Sequence, residues 1–217
     1  MSPMAQVTCL SAAFVMQHLI QSHPPVRQAQ KRLLGERGFQ LWYTIVSTAI
    51  WAPLVYIWWT HRHSGPLLWN LPWPIRPGLP DLASALGVVL LIAGALTSAP
   101  SSITFNRAKP LRVTGVLAIT RHPVLMGATL WCIGHALANP WQIDVIFFGG
   151  QALVGVTGSL HQDWRHRTMR PEYAEFASKT SIVPSIARLD QVGRKGWIIM
   201  AAGLAFAAIA RWAHRLF

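Results

Sequence analysis

Residues 123–160 read PVLMGATLWCIGHALANPWQIDVIFFGGQALVGVTGSL, two apolar runs joined by the short break Asn139-Pro140-Trp141-Gln142. Each run is close to the ~20 residues that a helix needs to cross the hydrocarbon of a bilayer. Because so short a connection must fold back, the two runs are predicted to be antiparallel neighbours in a helical hairpin. The hairpin therefore predicts a helical integral membrane protein.

The rest of the chain continues this pattern. It predicts six spans at about 4–22, 39–59, 82–100, 123–140, 143–160 and 197–213. The composition agrees, because 52% of the residues are hydrophobic and only 12% are charged, about half the charged fraction of a soluble domain. We therefore predict an all-α, polytopic membrane bundle of about six helices that forms a single domain over 1–217.

Basic residues alternate between the two sides of these spans. The segments 23–38, 101–122 and 161–196 hold 15 of the 19 Lys and Arg residues. The remaining four are Arg62, Arg76, Arg211 and Arg215. Since loops on the cytoplasmic side carry the excess of Lys and Arg, both termini are predicted to face outward. The net charge of +12 thus reflects orientation in the lipid bilayer, expected to be a bacterial inner membrane, and does not predict nucleic-acid binding.

Two connecting segments have patterns of their own. Segment 60–81 is so rich in proline that we predict an irregular outer loop along the interface. Segment 170–179 is predicted to form a short amphipathic helix on the inner surface, beginning at Pro171. Its apolar face holds Tyr173, Phe176 and Ala177.

Ionisable side chains within the spans indicate function, because a bilayer makes them costly. His18 lies towards the inner end of the first span, and His122 lies at the inner mouth of the fourth. His135 follows about 20 Å further along that helix, with Cys132 three residues earlier on the same face. His61 follows the second span at the outer interface. Imidazole and thiolate are ligands of haem iron and other transition metals.

These residues fall into two predicted layers. The inner layer is His18, His122 and His161 with Asp163, and the outer layer is His61, His135 and Cys132. A single histidine at a span end is more often an interfacial hydrogen-bonding group than a ligand, and we interpret His23, His166 and His214 in that way. His135 with Cys132 inside an apolar helix favours a functional role instead.

Several motifs along the chain resemble those of the NnrU-like membrane family, which includes the carotenoid enzyme 15-cis-ζ-carotene isomerase. They are Thr120-Arg-His-Pro-Val-Leu-Met-Gly127, the stretch 130–139, Gly35-Glu-Arg-Gly-Phe39, Thr60-His-Arg-His-Ser-Gly65, Thr104-Phe-Asn106 and Thr180-Ser-Ile-Val-Pro184. Their order and spacing carry the resemblance across most of the chain.

The resemblance implies a cofactor and an activity. It implies a haem b whose iron has His18 and His135 as axial ligands and Cys132 as an alternate ligand, while His61 and His122 match other histidines of the family. The implied activity is cis–trans isomerisation about the central 15-cis double bond of a poly-cis carotenoid, an apolar polyene, with Cys132 and His135 as catalytic residues.

The residues themselves leave other ligand pairs open. Two axial ligands of one iron must lie at the same height, but His18 is ~10–15 Å closer to the inner face than His135 at the helical rise per residue. The pairs His18 with His122 and His61 with His135 are therefore alternatives.

Two other functions also remain open. One is a non-catalytic or sensory haem protein of the NnrU type, linked to nitrite and nitric oxide metabolism. The other is a membrane methyltransferase that uses S-adenosylmethionine. The stretch Arg121-His-Pro123 resembles the Arg-His-Pro element of such methyltransferases. Those methyltransferases have a pair of glutamates on the last helix, whereas the corresponding region here reads His161-Gln-Asp-Trp-Arg165.

Overall fold

The computed structural model of the protein describes residues 1–97 and 112–214, and these ranges contain α-helices, turns and loops but no β-strand. The helices described are α1 (Pro3–Ser22), α2 (Pro24–His61), α3 (Ile75–Ala95), α4 (Pro123–Ala138), α5 (Gln142–Met169), α6 (Pro171–Ser178) and α7 (Gly193–Ala213). Four of them begin with a proline, which has no N–H to donate and fits the first turn because N–H groups there have no partner within the helix. The motif Thr104-Phe-Asn106 and the last residues of the third predicted span lie outside the described residues.

The predicted spans and these helices agree closely. α1, α2, α3 from Gly78, α5 and α7 are each long and apolar enough to cross a membrane, and α4 is apolar but shorter, at 16 residues. The all-α prediction is confirmed for the described residues, which contain five long candidate spans and one shorter apolar helix where about six spans were predicted. The side of the membrane that each terminus faces stays a prediction.

Three helix boundaries differ from the sequence-based expectation. α2 begins at Pro24 and contains a break at Gly35, whose φ of 70° lies in the left-handed region that favours glycine. α5 continues for nine residues beyond 160, to Met169. The prediction of an irregular segment through residue 81 is wrong, because α3 already begins at Ile75. Pro77 falls in its first turn, where no hydrogen bond is lost.

Contacts between helix termini define two ends of the bundle. At the first, which we call the basic end, the end of α1 meets the end of α5 through Ser22 and His161, and His122 before α4 faces Asp163. At the other, which we call the opposite end, the backbone N–H of His63 donates to Asp144 near the start of α5. α1 and α5 therefore run parallel, and α4 runs antiparallel to them.

Glycines allow α3 and α4 to pack closely. A Cβ atom added at Gly127 would lie 2.6 Å from the backbone nitrogen of Leu91, and one at Gly87 would lie 2.5 Å from that of Trp131. Neither position can therefore accept a larger residue without separating the helices. Large apolar side chains such as Trp42, Trp51 and Trp59 on α2 are exposed, as expected of a lipid-facing helix.

Candidate functional site

A cavity of about 440 Å³ lies between α3, α4 and α7 near the opposite end. Its apolar wall includes Ala85, Val88, Trp131, Leu204, Ala207 and Ala208. Its polar groups are Asp81, Ser84, His135, Asn139, Arg211 and His214. An apolar cavity of this size with a few convergent polar groups is typical of sites for small molecules and cofactors.

His135 of α4 is the predicted site residue that lines this cavity. Its Nδ1 lies 2.8 Å from the carbonyl oxygen of Trp131, and a carbonyl can only accept a hydrogen bond. The proton of the neutral ring therefore resides on Nδ1, and Nε2 keeps its lone pair. The ring is packed between Trp131, at 4.1 Å between centroids, and Phe148, at 5.1 Å. The imidazole is thus fixed in both tautomer and orientation.

Cys132 lies one turn earlier on α4 and is buried. It is buried in an apolar cluster with Val7 of α1, Leu54 of α2, and Ile143, Phe147 and Phe148 of α5. It is not among the residues that line the cavity. Phe148 of α5 therefore neighbours both side chains, but only His135 lines the cavity.

His18 lies in a separate environment between α1 and α2. Its Nδ1 donates to the carbonyl oxygen of Phe14 at 2.8 Å, and its ring packs edge-on against Tyr43 at 5.5 Å. Val7 shares a cluster with Cys132, and His18 follows Val7 by eleven residues, or ~16 Å along the helix. The structure therefore keeps His18 far below the level of His135, as the sequence-based heights predicted.

The other two predicted histidines lie at opposite ends of the bundle. His61 ends α2, is exposed, and has its Nδ1 3.0 Å from the carbonyl oxygen of Ile57. His122 is fully buried at the basic end, with Nε2 3.8 Å from Asp163 Oδ1, longer than a hydrogen bond. In the described part of the chain, no three or more His, Cys, Asp or Glu side chains could together hold a bare metal ion.

Arg121 and Asp163 form a buried ion pair at the basic end. Arg121 Nε donates to Asp163 Oδ1 at 2.6 Å, and its NH2 group donates to Oδ2 at 3.1 Å. The remaining guanidinium nitrogen reaches the carbonyl oxygens of Thr180, at 2.6 Å, and Ala177, at 3.3 Å. Asp163 also accepts from Tyr173 Oη at 3.0 Å. This group, which we call the basic-end clamp, joins α4, α5 and α6.

The clamp brings together two of the motifs that carry the family resemblance. The backbone N–H of Arg121 donates to the carbonyl oxygen of Ser181 at 2.9 Å, and Thr120 Oγ1 donates to that of Ile182. Burial and the adjacent Asp163 carboxylate raise the pKa of Tyr173 far above its usual range, so its hydroxyl stays protonated as a donor. The Arg-His-Pro element thus has a structural role in the clamp, away from the cavity.

Sequence reasoning missed Asp144 entirely. This carboxylate is fully buried at the start of α5 and accepts from Trp58 Nε1 at 2.7 Å. It also accepts from the backbone N–H and the Nδ1 of His63, at 3.1 and 2.9 Å. His63 has a φ of 61°, so the carboxylate holds the loop after α2 in a conformation that such residues rarely adopt. Its position as an acidic residue inside an apolar run could have indicated a buried, hydrogen-bonded carboxylate.

Sequence comparison shows which known proteins this chain is similar to. The chain is 28% identical over 177 residues to the Arabidopsis thaliana protein named 15-cis-zeta-carotene isomerase, chloroplastic, and 25% identical over 175 residues to the Zea mays protein of that name. These matches cover 75% and 76% of this chain but only 45% and 46% of the relatives, so the chain spans less than half of their length. No solved structure matches. The NnrU protein family model matches residues 6–217, and the chain therefore belongs to the NnrU family.

Proposed function

We propose that this protein is a membrane-embedded cis–trans isomerase that acts on the central 15-cis double bond of a poly-cis carotenoid, with haem b as its cofactor. Its relatives in plants are named for that substrate class. Their chloroplastic names give no support to the expected bacterial inner membrane, whereas the long apolar helices support membrane association.

The observation that carries this proposal is the position of His135 on the wall of an apolar cavity. A hydrocarbon polyene has no polar group to bind, so its site must be apolar. Ala85, Val88 and Leu204 give the cavity an apolar wall of this kind. The cavity holds only part of a long polyene at about 440 Å³. It is therefore suited to the central segment of the chain, where the 15-cis bond lies.

His135 is also the residue that would hold the haem iron. His135 offers a neutral imidazole with its Nδ1 already fixed by a carbonyl, as is usual for a histidine that ligates a metal. Haem iron would supply a centre that interacts with the double bond and lowers its barrier to rotation, with no net oxidation of the product. We assign the catalytic role to His135. The ligand roles of His18 and Cys132 stay predictions from the family resemblance.

The protein groups around His135 prepare this site in two ways. Trp131 and Phe148 pack against the ring and hold it at the cavity wall. The apolar residues of α3 and α7 that line the cavity offer a hydrocarbon surface to the reacting segment.

The test is turnover of a poly-cis carotenoid. Purified protein reconstituted with haem is incubated with tri-cis-ζ-carotene under dithionite, and the products are separated by chromatography. We expect the di-cis product with the wild-type protein and its loss with His135→Ala. His23→Ala is the matched control, because it removes an exposed imidazole that stacks on Trp164 outside the cavity. Wild-type protein that binds haem but forms no product would refute the catalytic proposal and favour the sensory alternative.

A further inference from the structure

We propose that α1, together with α2 and α5, encloses a narrow internal site for water, which opens at the basic end and is closed by the apolar cluster around Val7 and Cys132. We call this site the polar seam. It is separate from the cavity between α3, α4 and α7, whose lining includes no residue of α1, α2 or α5. The residues of the seam are Ser11, Gln17, Gln21 and Ser22 of α1, Ser47 of α2 and His161 of α5.

α1 and α5 keep one register along the seam. Near the middle of α1, Ser11 faces α5, because a Cβ atom added at Gly150 would lie 3.1 Å from its Oγ. At the basic end, Ser22 Oγ lies 3.2 Å from His161 Nδ1. Both contacts join residues that are 139 positions apart in the sequence. The two helices therefore run side by side from Ser11 to Ser22, which is ~16 Å at the helical rise per residue, or about half of the ~30 Å of hydrocarbon in a bilayer.

The side of α1 that is buried in the bundle is polar over this stretch. Ser11, Gln17 and Gln21 are 5%, 8% and 6% exposed. Met16 and Ile20, on the other side of the helix, are 54% and 52% exposed. Polar side chains at membrane depth face the interior of a bundle or a water-filled cavity. The distribution of side chains on α1 therefore indicates a polar interior with hydrocarbon outside it.

Four polar atoms of the seam are buried and have no hydrogen-bond partner among the residues that the structure describes. They are Ser11 Oγ, Gln17 Oε1, Gln21 Oε1 and His161 Nε2. Gln17 uses its other amide atom, Nε2, to donate to Ser47 of α2 at 3.0 Å. A buried polar atom without a partner loses its hydration for no return. Four of them along one seam indicate that a further hydrogen-bonding molecule pairs with them.

The chemistry of these atoms decides which molecule suits the seam. The amide oxygens of Gln17 and Gln21 can only accept hydrogen bonds. Ser22 Oγ donates to the carbonyl oxygen of Leu19 at 3.2 Å, so it must accept from His161 Nδ1, and His161 Nε2 is an acceptor as well. The partner must therefore donate hydrogen bonds and be small enough to fit between packed helices. Water meets both needs and bridges buried polar groups of this kind.

The seam is open at one end and closed at the other. At the basic end Ser22 and His161 are partly exposed, and Arg165 donates to the carbonyl oxygen of Ser22 at 3.2 Å. One turn beyond Ser11 in the other direction lies Val7, which is fully buried in the apolar cluster with Cys132. An apolar cluster offers water no hydrogen-bond partner. The seam thus brings water from the surface at the basic end to the middle of α1 and no further.

The test uses hydroxyl radicals, which an X-ray pulse generates from water and which are as small as water itself. Ser11→Cys and Met16→Cys, each combined with Cys9→Ala, are irradiated in lipid nanodiscs, and thiol oxidation at each position is measured by mass spectrometry. We expect the thiol at position 11 to oxidise several times faster than the thiol at position 16. This order is the reverse of the exposure of the two side chains, because Ser11 is buried and Met16 is exposed.

A second pair of variants tests where the water enters. Gln17 lies between Ser11 and the basic end, so adding Gln17→Leu should slow the oxidation of the thiol at position 11. A misfolded protein would show faster oxidation instead. Met16→Leu is the matched control, because it changes the neighbouring residue on the lipid-facing side, and it should leave the rate unchanged. The native thiol of Cys132 should stay unoxidised behind the apolar cluster.

Each result supports or overturns a defined part of the proposal. Oxidation at position 11 that is no faster than at position 16 would show that the seam is dry. An unchanged rate with Gln17→Leu would overturn the opening at the basic end, and oxidation of Cys132 as fast as that at position 11 would overturn the closed end. None of these measurements needs a haem or a carotenoid, so the proposed function can fail while this inference holds, and the reverse.

Discussion

Removal of the Asp163 carboxylate should be among the most destabilising single changes in this protein. Asp163 and Arg121 are 9% and 6% exposed, so their ion pair is buried. In Asp163→Ala, Arg121 loses both of its carboxylate contacts and stays in place through Thr180 and Ala177. A buried charge left without its counter-ion costs about 3–5 kcal/mol. The hydroxyl of Tyr173 loses its acceptor as well.

A second ion pair on the same carboxylate provides an internal control. Arg167 Nε also donates to Asp163 Oδ2, at 2.9 Å, but its side chain is 46% exposed. Exposed pairs of this kind contribute about 0–1 kcal/mol. Arg167→Ala should therefore cost much less than Asp163→Ala, although both changes remove a salt bridge with the same residue.

The assay is unfolding in mixed detergent micelles, followed by tryptophan fluorescence. The double variant Arg121→Met with Asp163→Leu should recover most of the loss, because an apolar pair leaves no uncompensated charge. If Asp163→Ala cost no more than Arg167→Ala, the claim that the basic-end clamp stabilises the bundle would be wrong. Equal losses in the single and double variants would show that packing volume, and not charge, is what matters there.

Two further predictions concern helix packing and pH. Gly127→Leu should lower the stability of the same micellar protein by at least ~1–3 kcal/mol through overpacking against Leu91, whereas Gly149→Leu, at a position with open space, should have little effect. Burial lowers the pKa of His122 below 6.5, so the unfolded chain binds a proton that the folded protein does not. Stability should therefore fall as the pH drops below 6.5, by up to about 1.4 kcal/mol per pH unit. Thermal denaturation of His122→Gln between pH 5 and 8 should show a weaker decline, and equal declines would contradict this reasoning.

The sequence predicts most of the fold because the information is local. Hydropathy places α1, α4, α7 and the start of α5 within a few residues of their bounds, and Pro171 marks the start of α6. The errors in the predicted helix bounds also have local causes in the sequence. Proline density misplaced the start of α3, because Pro77 lies in the first turn, where no hydrogen bond is lost, and the helix also accommodates Pro80 in its second turn. Polar residues after 160 hid the end of α5, which continues to Met169 because its buried face there holds Asp163 and His166.

The candidate site was harder to predict because it depends on which helices are neighbours. His135 stood out from its apolar helix, but nothing in the local sequence indicates that α7 packs on α3. His214 was accordingly interpreted as an interfacial residue. Asp144 was overlooked for the same reason, because its partners Trp58 and His63 come from a different helix and loop, more than 80 residues away.

The two ends of the bundle therefore differ in role: the basic end contributes stability, and the opposite end contains the cavity. At the basic end, ionic and backbone hydrogen bonds from the Arg-His-Pro motif tie three helices together, and Asp163 is saturated by its partners. At the opposite end, Gly203 lets α7 pack closely on Val89 of α3, and Ala207 of α7 lines the cavity. An apolar polyene dissolves in the bilayer and not in water, so its natural approach is from the lipid between helices. If the proposed function is correct, the polyene would enter beside α3 and α7, while the basic-end clamp holds α4, α5 and α6 together at the other end of the bundle.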